Sequence, residues 1–273
     1  MSRQSQELLK YALAPSVNVV RSMLLASILA LGLAATAAAE QKDAAAPRPP
    51  YLVVGSEHLI VFFEADESAL KSLLPPGVKP AAGNVVGLNM YRTQQVVGLV
   101  PYTASYLWIN VDGFDSPDGT TKGRWMAQGW YGPDPVSSTF RSQGGFPVQL
   151  GTTRLERDGN RLHAVLTSDG VDLIDAVITV KEEKPAAAGG LLNYPTLSRN
   201  LAQPAPSAVV VNRIPFSGEI TPATPVSVQF HFSNNDAARM LQPKRLIDAV
   251  YVKGTAFTLG VVDMSPAEMS ASR

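Results

Sequence analysis

From Tyr51 onwards, short runs of β-branched and aromatic residues alternate with polar ones, the period of strands whose two faces see different surroundings. Leu52-Val53-Val54 and Leu59-Ile60-Val61-Phe62-Phe63 open this series. Asp66 is placed to N-cap a short helix over Ser68–Leu74, which Pro75-Pro76 ends. Leu155-Glu156-Arg157 and Arg161–Leu166 flank Asp158-Gly159-Asn160, and an Asp-Gly pair between alternating runs predicts a hairpin because both residues tolerate positive φ. Asp118-Gly119 and Asp169-Gly170 predict two more, and Val171–Val180 continues the sheet. Glu182–Gln203, with Pro185, Gly189-Gly190 and Pro195, reads as a long loop of the kind that covers a site. The last elements are a strand over Val226–Phe232, a short helix over Asp236–Leu241, and one or two strands over Ile247–Val262. Many short strands with Gly/Asp turns predict a closed antiparallel barrel or a sandwich.

Upstream the pattern is different. Arg21 precedes the apolar run Met23–Leu33, and Ala37-Ala38-Ala39 is an Ala-x-Ala cleavage site before Glu40. Residues 1–39 therefore read as a secretory signal peptide, with translation starting at Met1 or at Met23. The alternative is an uncleaved anchor, but the run is short of the roughly 20 strongly apolar residues of a spanning helix. Residues 40–50 are a Pro/Ala-rich linker, 51–264 one β-rich domain, and 265–273 a flexible tail. The expected address is the periplasm or the outside of the cell, with no membrane contact after cleavage.

The whole chain has 23 basic and 23 acidic residues. Cleavage takes away Arg3, Lys10 and Arg21 but only Glu7, which leaves 20 basic and 22 acidic and a net charge of −2. That balance argues against a nucleic-acid partner, which demands a basic footprint. With no cysteine there are no disulfides and no thiolate chemistry. The only histidines, His58, His163 and His231, lack metal-ligand spacing, so no metal is expected, and P-loop, dinucleotide and Gly-x-Ser-x-Gly patterns are absent, so no cofactor is expected either.

Phe140-Arg141-Ser142-Gln143-Gly144-Gly145-Phe146-Pro147-Val148-Gln149-Leu150 resembles the signature of the acetoacetate decarboxylase family: Gly-Arg-Glu, three variable residues, an aromatic, Pro, Lys-Lys and Leu. Leu73-Leu74-Pro75-Pro76-Gly77-Val78-Lys79-Pro80, the Leu155–Ala164 hairpin and Val226–Asp263 resemble further family segments, so the likeness spans nearly the whole mature chain. The resemblance implies a mainly β (α+β) fold, a cone-like closed antiparallel barrel with a few short helices that holds its substrate inside, usually within a homo-oligomer. It also implies a Schiff-base lysine whose pKa a second lysine lowers. Here those positions hold Val148 and Gln149, which carry no amine. Ser142 replaces the signature glutamate, Ser56 stands at the family's substrate-binding arginine, and the two interior glutamates fall near Leu88 or Asn89 and near Ala104.

These readings converge on an exported barrel that binds, or transforms without a Schiff base, a small organic acid or ketone-like ligand. Phe146, Val148 and Gln149 are expected at the wall of an internal cavity, made apolar by Val148, with Arg141 or Arg92 holding a carboxylate. The aromatic-rich stretch that includes Tyr91, Tyr102, Tyr106, Trp108, Trp125 and Trp130-Tyr131 is either the pocket lining or the core and rim of a sheet. His231 is a candidate acid or base if it faces the lumen, and Lys253 a relocated nucleophile for a true lyase. A structural or protein-binding barrel in the cell envelope is the remaining alternative.

Overall fold

The computed structural model describes residues 49–143, 146–197, 209–233, 237–260 and 262–266. The chain divides into Met1–Ala46 and Pro47–Arg273. The first unit, with the predicted signal peptide and most of the linker, lies outside the described residues, and the following concerns the second. No described helix is long and apolar enough to cross a membrane.

The described chain is mostly strand. In order, the elements are β1 (Tyr51–Glu64), α1 (Glu67–Leu73), β2 (Val85–Arg92), β3 (Gln95–Val97), β4 (Thr103–Val111), β5 (Gly123–Gly132), α2 (Asp134–Gln143) and β6 (Val148–Leu150). Then come β7 (Thr152–Asp158), β8 (Arg161–Ser168), β9 (Val171–Val180), β10 (Ala186–Leu197), β11 (Val209–Phe230), a 3-10 turn (Ala237–Met240), β12 (Arg245–Leu259) and β13 (Val262–Pro266). Asp66 caps α1 by accepting from the Ser68 amide. The β8–β9 hairpin turns on Asp169 and Gly170, both at positive φ (50° and 76°), as a tight primed turn requires.

Strand order is β10-β5-β4-β2-β1-β12-β11-β9-β8-β7, and β10 also pairs with β11. Seven strands, β5-β4-β2-β1-β12-β11-β10, therefore form a ring, which the parallel Asn193–Gly123 bridge closes. The expected closed β architecture is present. β11 serves two layers: from Val209 to Ile220 it pairs with β10, and from Ala223 to Phe230 with β9. Pro222 falls between the two ladders, where the strand changes partner.

From His58 to Phe63 both faces of β1 consequently pack against other residues, whereas Leu52 and Val54 nearer its start are exposed. Leu59, Val61 and Phe63 join Leu88, Leu107 and Ile109 in a core shared with Leu162, Leu166 and Ile174 of the β7–β9 layer. The opposite face of the same strands looks into the ring, where Tyr91, Tyr106, Trp108, Tyr131 and Phe257 form a second, aromatic core.

Three expectations need correction. Glu182–Gln203 is not a long loop; most of it is β10, held by an unbroken register from Ala186–Ile220 to Leu197–Val209. Its Ala, Gly and Pro residues have poor strand propensity, and pairing overrides that. The Val226 strand begins 17 residues earlier, at Val209. The tail expected from Ser265 starts inside β13, which runs to Pro266.

Candidate functional site

Strand register builds the inner face of the ring in rows. His58, Ile60 and Phe62 of β1 lie opposite Tyr91, Asn89 and Gly87 of β2. These pair with Ala104, Tyr106 and Trp108 of β4, and then with Tyr131, Gly129 and, past a bulge, Met126 of β5. The rows enclose a cavity of about 170 Å³, completed by side chains of β10, β11 and β12 such as Tyr194, Phe216, Thr255 and Phe257.

A hydrogen-bonded belt crosses this wall. Ser56 Oγ lies 2.7 Å from His58 Nε2, and His58 Nδ1 lies 3.2 Å from Asn89 Oδ1. Asn89 Nδ2 donates to the Tyr106 hydroxyl at 2.9 Å, which is 2.9 Å from the Tyr194 hydroxyl. With the Asn89 amide nitrogen committed to Tyr106, its carbonyl faces His58, so Nδ1 carries the proton, while Nε2 and the Thr255 carbonyl, 3.2 Å from Ser56 Oγ, share the single Ser56 hydroxyl proton. His58 also stacks on Tyr91 at 4.7 Å. Burial lowers the His58 pKa to about 4, against smaller opposing effects of the Asn89 hydrogen bond and the Glu57 charge. Burial likewise pushes the phenols of Tyr91, Tyr102, Tyr106 and Tyr131 up. The belt is neutral at pH 7.

Among the described residues, one charged side chain lines the cavity. Arg124, half-buried, holds its guanidinium 4.7 Å from the centre of the Trp108 ring. Trp108 is fixed in turn by donating from its indole nitrogen to Asn110 Oδ1 at 3.0 Å. It lies across β2 at Gly87, where a Cβ would sit 1.9 Å from a ring atom. Glycine at 87 thus sets the floor on which the arginine rests. Among the described residues no carboxylate pairs with Arg124, and no lysine, aspartate or glutamate lines the cavity.

A family model for acetoacetate decarboxylase (ADC) matches residues 34–264. The chain belongs to the acetoacetate decarboxylase family. Among solved structures it is similar to the enduracididine biosynthesis enzyme MppR with HEPES buffer bound, with a TM-score of 0.65 and 16% identity over 83% of this chain and 91% of that one. The acetoacetate decarboxylase of Legionella pneumophila subsp. pneumophila str. Philadelphia 1 gives 0.60 and 19%, over 79% and 87%. A further acetoacetate decarboxylase structure gives 0.64 and 18%, over 81% and 91%. At such identities these likenesses establish the fold. No curated protein matches the chain.

Of the residues singled out from the sequence of this acetoacetate decarboxylase family member, Phe146 lines the cavity. Val148 is buried just behind the lining, over Gly129, where a Cβ would come within 3.0 Å of both Val148 Cγ1 and the Tyr131 ring. Tyr102 and Trp108 belong to the same aromatic core; Tyr102 accepts from the Tyr91 hydroxyl at 3.1 Å. Gln149 is exposed on β6, and Arg141 is exposed in the last turn of α2. Arg92 is on the outside of the ring, bound to Glu57 at 2.6 Å. The two catalytic candidates do not reach the lumen. His231 is exposed just beyond β11, and Lys253 is exposed on β12 in a polar surface hollow with Arg157, Lys181 and Glu219. The strand period alone did not reveal which face either one takes. Ser56 and Asn89, placed at two of the family's polar positions, are both in the belt. Arg124 was missed: the bulge between Leu107 and Trp108 shifts the alternation of β5 and hides its inward face.

Proposed function

We propose that the protein is an exported member of the acetoacetate decarboxylase family that binds, or transforms without a Schiff base, a small organic acid or ketone-like molecule inside the ring of strands. The observation that carries this reading is the cavity itself, which among the described residues has one arginine, a neutral polar belt and no lining lysine. A carbonyl ligand there meets no amine, so no iminium forms. Arg124 supplies the charge complement for one carboxylate, and the belt supplies neutral hydrogen bonds. MppR, similar in fold, has a structure complexed with pyruvate, which fits a small carboxylate as the ligand class. A lyase built on Lys253 has little support, since that side chain is exposed on the outer surface of β12, away from the cavity where a carbonyl ligand would sit.

The test is incubation with pyruvate or acetoacetate and borohydride, read by intact mass, alongside calorimetric titration with small monocarboxylates. An unchanged mass with saturable binding is expected. A reduced adduct on any lysine would overturn the loss of Schiff-base chemistry, and no binding by any small acid or ketone would favour the structural alternative.

A further inference from the structure

We infer that the ligand is a monocarboxylic acid built on a single six-membered ring, with a hydroxyl or carbonyl oxygen on the side of the ring opposite the carboxylate. This deepens the reading above and rests on it. Size comes first. An apolar cavity of about 150 Å³ is filled by one benzene molecule, and the lumen is about 170 Å³. One ring with short substituents fits. A four-carbon chain would leave unfilled space against the walls and forfeit dispersion contacts there.

The walls favour a ring. Tyr91, Tyr131, Phe140, Phe146, Phe216 and Phe257 all reach the cavity. They already meet one another edge-on and stacked, as Tyr91 does with Phe257 and Tyr131 with Phe140. An aromatic guest continues those contacts.

The polar groups set the two ends. Arg124 presents a planar guanidinium whose described contact is the Trp108 face, leaving its donors for one carboxylate. A second anionic group would be buried without a partner. At the belt, Asn89 donates to Tyr106, so the Tyr106–Tyr194 pair shares one hydrogen bond between two hydroxyls and keeps one O–H proton unspent. One buried neutral hydroxyl of the pair therefore awaits an oxygen. Tyr106 and Trp108 are two residues apart on one strand face, a spacing of about 7 Å. That spacing separates the donor row from the ring beneath Arg124, and a para-substituted ring spans it.

The experiment is calorimetric titration of the full chain with 4-hydroxybenzoate, benzoate, phenol and acetoacetate. Binding of 4-hydroxybenzoate is expected to exceed that of benzoate and of phenol by about tenfold each. Arg124→Met should abolish the advantage of 4-hydroxybenzoate over phenol, while Tyr106→Phe combined with Tyr194→Phe should abolish its advantage over benzoate. Arg141→Ala should change neither, and circular dichroism of each variant checks folding. Acetoacetate binding as tightly as the ring acids would sink this inference and leave the proposed function standing. Ring acids whose affinity ignores Arg124→Met would also sink it, and Arg124→Lys, which keeps the charge, guards against a folding defect in the methionine variant. If none of the four binds and pyruvate does not either, the proposed function fails as well.

Discussion

Taking the pH from 7.5 to 4.5 should cost the fold about 2.5 kcal/mol through His58 alone. The unfolded chain has an ordinary histidine near 6.5, whereas burial holds the folded ring at about 4. At pH 4.5 the unfolded imidazole is almost fully protonated and the folded one only about a quarter of the time, so proton binding favours the unfolded state. The contribution is whole above about pH 6.5, is lost progressively as the pH falls towards 4, and changes no further below that. Protonation also puts a hydrogen on Nε2, and Ser56 Oγ then accepts it and donates to the Thr255 carbonyl alone. Urea unfolding of the wild type and of His58→Gln at pH 7.5, 5.5 and 4.5 reads the effect. Carboxylates begin to lose their own stabilisation only at the acid end of this range, around the unfolded value of 4.5; Glu57 is one, its carboxyl raised by burial but drawn lower overall by hydrogen bonds from Tyr251 and Arg92. Those losses are common to both proteins, so the quantity of interest is the gap between them. The wild type should be the more stable at pH 7.5, with the gap narrowing by about 2.5 kcal/mol at pH 4.5. A gap that stays constant across the three values would refute the claim that the fold excludes a charged His58.

Gly87→Ala should destabilise by about 3 kcal/mol, the upper end for overpacking, because the new methyl lands 1.9 Å from a fully buried indole. Near-UV circular dichroism should register the displaced Trp108. Gly113→Ala meets open space and should cost only the roughly 1–2 kcal/mol of a positive-φ position, read by the same urea titration. N-terminal sequencing of exported protein should begin at Glu40, and retention of Leu24–Leu33 would make the protein membrane-anchored.

What could be read from the sequence was what the chain decides locally. Asp169-Gly170 turns a hairpin by its own backbone preference, and Asp66 caps α1 by accepting from an amide two residues away. The β7–β9 meander follows from alternation between such turns. β10 was illegible because nothing in Ala-Ala-Ala-Gly-Gly-Leu-Leu marks a strand; its conformation comes from β11, a partner beyond a proline-rich stretch. The site divides in the same way. Tyr106 and Trp108 share a face by simple alternation, and the lost lysines are visible as Val148 and Gln149. Arg124 depends on a bulge, and the belt depends on which of β1, β2, β4 and β10 end up adjacent. Neither property is written in any one segment.

The β1–β12 ladder joins the first strand to the last long one, with Tyr51 opposite Leu259 across about 200 residues of chain. During synthesis β1 pairs early with β2 on one side, but its other edge has no partner until Arg245–Leu259 has left the ribosome. Contacts this distant in sequence make for slow folding. A chain stopped before Arg245 would expose the edges of both β1 and β11, two open templates for strand addition by other copies. Early-terminated products of this gene should therefore aggregate rather than persist as soluble fragments, however well their first eleven strands are formed.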